Sequence, residues 1–159
     1  MIIRNKISIL APLAHVWQTF SDLEHWHAWN RVCRNCHYVK GEAMAPDACF
    51  SFEIAPVIFP LRIKPRIVRC LPPREVVWVG GRWGVKARHG YFFSQNQYRV
   101  DVLSVEEFRG PLLPLVRCIG LPRRLHRLTD AFLASLKVHV EPKQRSLTPV
   151  ACRRVSERI

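Results

Sequence analysis

The chain has 159 residues, of which 48% are apolar, and 25 Lys and Arg against 12 Asp and Glu give it a formal charge of +13. That size fits one domain with a real core, and that apolar content excludes a disordered chain. The basic excess points to an anionic partner (nucleic acid, a phospholipid surface or a carboxylate ligand) and is silent about fold.

The first segment, Ile3 to Leu10, alternates Ile7 and Ile9 with Lys6 and Ser8 and reads as a strand. It lacks the charged, apolar and small-residue zones of an export signal, and no apolar run in the chain approaches the 18 residues of a membrane span. The six cysteines are therefore expected as reduced thiols, and the expected compartment is the cytoplasm. Pro12 suits a helix's first turn, where its missing N–H costs nothing, with Val16, Trp17 and Phe20 on one face. Ser21 to Glu24 has the capping-box spacing and is expected to start a second short helix through Trp26 to Trp29.

From Val32 the apolar period changes to two. Strands are expected at 32–40, 48–55, 61–71, 74–82, 86–95 and 98–108, with turns at Gly41, Pro56 to Pro60, Pro72-Pro73, Gly80 to Gly84 and Asn96-Gln97. Short connections between sequential strands favour an antiparallel meander. An oily loop, "GPLLPLVRCIG" at 110–120, precedes a long helix from Pro122 to Val140. On that helix Leu121, Leu125, Leu128, Phe132, Leu136 and Val140 form one apolar stripe. A domain at 1–140 is thus followed by a tail at 141–159, polar and proline-broken, which is expected to be disordered. With five basic and two acidic residues the tail carries +3, leaving +10 on the body. The long helix is the one element able to cover the sheet's apolar face. An α+β fold follows, with seven strands curled around the helix, and the space between them is core or cavity.

"CRNCH" at 33–37 has the letters of a c-type haem attachment site. On a regular strand Cys33 and Cys36 would face opposite sides of the sheet, while Cys33 and His37 would share a side roughly 13 Å apart. Neither haem attachment nor metal binding tolerates that divergence. The segment reads as two small thiols and a polar strand residue, with a zinc site recruiting His25 or His27 as the weaker alternative. No cofactor and no metal is expected.

"ISILAPLAHVWQTFSDLEHWHAWN" (7–30), "LPPREVVWVGGRWG" (71–84), "HGYFF" (89–93) and "EEFRGPLLPLV" (106–116) come in an order that resembles the START-like, or SRPBCC, superfamily. The similarity runs from residue 1 to about 140 and is nearest to the polyketide cyclase/dehydrase and lipid transport subgroup. It implies the helix-grip fold, a seven-stranded curved antiparallel sheet around a long C-terminal helix with two short helices after strand one. It further implies a hydrophobic cavity for a lipid, hormone, polyketide or aromatic ligand, without universal catalytic residues.

Strand phase proposes the cavity wall: Phe52, Ile54, Ile63, Trp78, His89, Tyr91, Phe93, Val102, Ser104 and Glu106 from the sheet, and Leu125, Leu128 and Phe132 from the helix. These residues either pack a solid core or line a pocket. His89 and Glu106 are polar members of an oily phase on neighbouring strands. They lie at the wet rim, or orient a ligand's polar end, or form an acid–base pair with Tyr91 as an added donor. In the 110–120 loop, Leu112, Leu113, Leu115, Val116 and Ile119 cannot all be buried; the loop tucks onto the body or serves as a lid. Arg109, Arg117, Arg123 and Arg124 bracket it, which suits an anionic membrane. The functional expectation is binding or transport of a hydrophobic small molecule or lipid. The alternative is a cyclase or dehydratase using His89, Glu106 and Tyr91. Nucleic-acid binding is disfavoured, because the basic residues are scattered and no recognition motif is present.

Overall fold

The computed structural model describes residues 1–54, 61–82, 84–118 and 120–142. Its elements run β1 (Ile2–Ile9), α1 (Leu13–Ser21), a 3-10 turn (Leu23–His25), α2 (Trp26–Trp29), β2 (Cys33–Lys40), β3 (Cys49–Ile54), β4 (Leu61–Ile63) and β5 (Arg66–Leu71). There follow β6 (Glu75–Arg82), β7 (Val85–Asn96), β8 (Arg99–Arg109), α3 (Leu113–Cys118) and α4 (Leu121–Val140). The strands form one antiparallel sheet in the order β1-β8-β7-β6-β5-β3-β2, with β4 paired to β3 off this path.

Among the described residues the sheet has eight strands rather than seven because the expected strand 61–71 breaks at Lys64-Pro65. Pro65 cannot donate to a ladder, and its carbonyl instead accepts from the Phe50 N–H at 3.2 Å. The pairing of β3 therefore passes from Ile63, opposite Phe52, to Arg66, opposite Cys49. The capping box at Ser21 does not form. Ser21 is the last residue of α1, and its hydroxyl donates back to the Gln18 carbonyl. Residues 113–118 of the oily loop wind into α3. Leu113 packs beside Ile3, Phe108 and Leu125, whereas Leu112 and Leu115 stay 43% and 60% exposed. Ile119 and all but the first two residues of the basic tail lie outside the described residues.

α4 crosses the concave face and is tied to β1 along its length. Asn5 donates through Nδ2 to Asp130 Oδ1 at 2.6 Å, and Lys137 Nζ donates to the Ser8 carbonyl at 2.7 Å. Just beyond the helix, Glu141 accepts the Leu10 N–H at 2.7 Å. The C-terminal half of α4 (Phe132, Leu133, Leu136 and Val140) is fully packed. Here α1 inserts Phe20, whose ring lies 4.8 Å from Tyr91, 5.1 Å from Phe93 and 6.1 Å from Phe132. Trp26 closes the cluster and donates through Nε1 to the Phe20 carbonyl at 2.7 Å, so its burial leaves no donor unmet. Among the described residues no helix is long and apolar enough to cross a membrane.

Candidate functional site

Over the N-terminal half of α4 the sheet and helix part. Between them lies a cavity of about 1040 Å³, walled mainly by apolar side chains. Strand pleating decides which side chains reach it. Val85, Ala87, His89 and Tyr91 come in turn from β7, and Glu106 and Phe108 from β8. Of the residues expected to form its wall, Phe52, Ile54, Ile63, Trp78, His89, Tyr91, Glu106, Leu125, Leu128 and Phe132 line it.

Phe93, Val102 and Ser104 do not. Phe93 has the right phase but lies too far along β7, edge-on to Phe20 and to Trp17 at 5.3 Å, where α1 fills the interior. Val102 sits opposite Phe93 and Ile7 in the ladders and is wholly enclosed. Ser104 is behind the wall, its hydroxyl engaged by His89.

Several lining residues were absent from the expected wall. Ala87 continues the inward phase of His89, so period two alone could have supplied it, and Phe108 shares the inward phase of Glu106. Trp26, Thr129 and Leu121 depend on how the helices dock, which the sequence pattern does not encode. Leu112 and Leu115 of the oily segment and Arg62, Lys64 and Arg82 line the cavity as exposed residues and so mark its mouth.

Cys33 was also missed, and its placement corrects the reading of "CRNCH". Arg34 pairs with Glu53 and His37 with Ser51, so two residues of β2, Asn35 and Cys36, oppose one of β3, Phe52, a bulge. Asn35 takes up the extra length at φ +51°, a conformation Asn tolerates better than most residues. The bulge resets the alternation. Cys33 lines the cavity, Cys36 is half-buried against the core, and His37 is exposed on the other side. The two thiols thus share a face and the histidine leaves it, the reverse of the regular-strand expectation. Burial raises the Cys33 thiol far above its usual value and the Cys36 thiol to about 11, so neither supplies thiolate at neutral pH. Among the described residues no group of three or more His, Cys, Asp or Glu side chains is placed to hold a metal.

The polar part of the wall is built across the β7–β8 ladder, where His89 faces Glu106 and Tyr91 faces Ser104. His89 Nε2 and Ser104 Oγ are 2.8 Å apart, and His89 Nδ1 is 3.7 Å from Glu106 Oε1, too far for a hydrogen bond. Tyr91 stacks on His89 at 4.5 Å. Burial pushes His89 down to about 3 and Glu106 up to about 7, and holds the Tyr91 hydroxyl well above its usual value. Withdrawal from water costs both charged forms more than a 3.7 Å contact returns. At neutral pH the imidazole is therefore uncharged. Glu106 sits at the midpoint of its titration and can donate or accept a proton. His89 is too weak a base for that role.

By sequence, no family model and no curated protein matches the chain. Its likeness is to solved structures. An aromatase/cyclase from Streptomyces superposes with a TM-score of 0.76 at 10% identity over 92% of this chain and 96% of that one. A major latex-like protein from Panax ginseng gives 0.74 at 10% identity over 89% and 98%. A norcoclaurine synthase from Thalictrum flavum gives 0.64 at 13% identity over 87% and 95%. These identities speak for fold alone. With a curled antiparallel sheet gripping a long C-terminal helix, the protein has the START-like helix-grip fold that these structures share.

Proposed function

We propose that the protein binds or carries a hydrophobic small molecule or lipid between the sheet and the N-terminal half of α4. One observation carries the reading: a cavity of about 1040 Å³, the size of a small-molecule site, walled mainly by apolar side chains with a few polar groups among them. Fold neighbours that include an aromatase/cyclase and a norcoclaurine synthase support a small organic ligand of this kind. Leu112 and Leu115 belong both to the mouth and to the exposed surface, beside the arginines of segment 109–124. That arrangement suits loading from an anionic membrane. The test is mass spectrometry of compounds extracted from the protein purified from its own host. A stoichiometric hydrophobic compound is expected. Protein that yields none, and that binds no apolar fluorophore, would reject the reading.

A second reading, a cyclase or dehydratase, is favoured by Glu106 alone, because its pKa of about 7 suits proton transfer at working pH. In it Glu106 moves the proton, and His89 and Tyr91 orient the substrate as neutral hydrogen-bonding groups. Turnover abolished by Glu106→Gln but retained in His89→Gln would distinguish it from simple binding.

A further inference from the structure

We propose that the cavity selects an anionic amphiphile: a carboxylate or phosphate head held at the basic mouth, and a hydroxyl deeper in the chain hydrogen-bonded to Glu106. The proposal rests on the binding reading above and narrows it to a ligand class.

The two poles come from different parts of the fold. On the concave side of β6, Trp78, Gly80 and Arg82 follow one another, and Arg82 pairs with Val85 where the β6–β7 hairpin closes at the mouth. Arg82 donates to the Arg62 carbonyl at 3.3 Å, joining the end of β6 to β4, and Lys64 extends the same edge. Among the described residues three cations therefore stand at the entrance. Arg62 is bound to Glu53 at 2.6 Å and Arg82 is tied to the Arg62 carbonyl, so Lys64 is the one placed to meet an anionic head. The only carboxyl in the described lining is Glu106, four residues inward at the level of His89 and Trp78. Four residues of strand span roughly 13 Å, about ten single bonds of an extended chain.

The chemistry of the inner pole follows from what Glu106 lacks. Its side chain is 17% exposed, and no hydrogen bond reaches it from the described residues; His89 Nδ1 stops 3.7 Å short, held there with Nε2 on Ser104. A buried polar group without a partner is costly. A hydroxyl both donates and accepts, and so does a protonated carboxyl, so the two match without placing charge in the cavity. An ammonium would fit worse, since it must pass three cations and shed its water.

The experiment titrates the full chain at pH 6 and low salt with ω-hydroxydecanoate, decanoate, decyl phosphate, decanediol and decylammonium, reading calorimetry and the fluorescence of Trp26 and Trp78 in the cavity wall. We expect ω-hydroxydecanoate to bind at least about fivefold tighter than decanoate, decanediol or decylammonium. Decyl phosphate should match decanoate. Lys64→Glu should weaken every anion severalfold and leave decanediol unchanged. Glu106→Leu should erase the advantage of the hydroxyl while decanoate still binds, and that retained binding shows the variant folded. Binding of decanediol and decylammonium as tight as that of the acids, or indifference to Lys64→Glu, overturns this proposal and leaves the hydrophobic-ligand reading standing. Binding of no probe at all overturns the proposal, and the wider reading falls with it only if extraction also yields nothing.

Discussion

The two halves of α4 face the same sheet with opposite results. Phe132, Leu133, Leu136 and Val140 meet the aromatic cluster that α1 and α2 deliver, and the interior closes. Leu121, Leu125 and Leu128 meet no such insert, and the interior stays open as the cavity. Both halves carry apolar side chains at helical spacing, so the stripe on α4 does not decide between core and pocket. What decides is whether a third element reaches between helix and sheet. Phe20 is that element at one end; at the other, α3 covers only the entrance.

The largest expected effect lies at the filled end. Phe20→Ala should cost about 3–5 kcal/mol in denaturant unfolding, because six aromatic neighbours cannot collapse onto the space. Leu128→Ala, on the same sandwich but bordering the cavity, should cost under about 1.5 kcal/mol, since truncation there only widens a space already present. Equal losses at the two sites would erase the distinction.

The polar wall gives the next effect. Glu106 has a folded pKa near 7 against an ordinary 4.5, so its contribution is fully present below pH 4.5 and is lost as pH rises through 7. His89 is depressed to about 3 from 6.5, so its contribution is present above pH 6.5 and is lost as pH falls toward 3. The two slopes oppose each other between about pH 4.5 and 6.5. Glu106→Gln should therefore gain on the parent protein as pH rises from 4.5 to 7, by up to about 3 kcal/mol. A stability difference flat across that range, followed by paired thermal melts, would mean that Glu106 is hydrated and ordinary.

A smaller effect is expected at the mouth. Gly110 has φ +145°, and a Cβ there would collide with the Gly84 carbonyl oxygen. Gly110→Ala should cost about 1–3 kcal/mol and displace α3, seen as faster proteolysis after Leu112 or Arg117. The smallest effect should come from filling the hollow. Ala87→Phe should change stability by less than about 1 kcal/mol while blocking ligand, an outcome a well-packed wall would not permit.

Much of this site was legible because pleating is regular. Period two in β7 and β8 placed His89, Tyr91 and Glu106 on one side, and their ladder partners followed. Legibility failed where a single residue broke the count. Asn35 at positive φ shifts β2 by one residue and brings Cys36 to the side of Cys33, and nothing in the letters of "CRNCH" requires a bulge. Pro65 did announce the break between β4 and β5, since proline inside a run demotes a strand. Phe93 and Val102 illustrate a different limit. Their phase is correct, but whether an inward residue meets a cavity or a neighbour depends on where Phe20 docks, a tertiary fact.

The most direct measurement is native mass spectrometry of the protein and of Ala87→Phe, purified in parallel from the source host. A hydrophobic hollow over the front of α4 predicts one extractable ligand per chain in the parent and none in the variant, with both folded. Ligand retained equally by both, or found in neither, would contradict it.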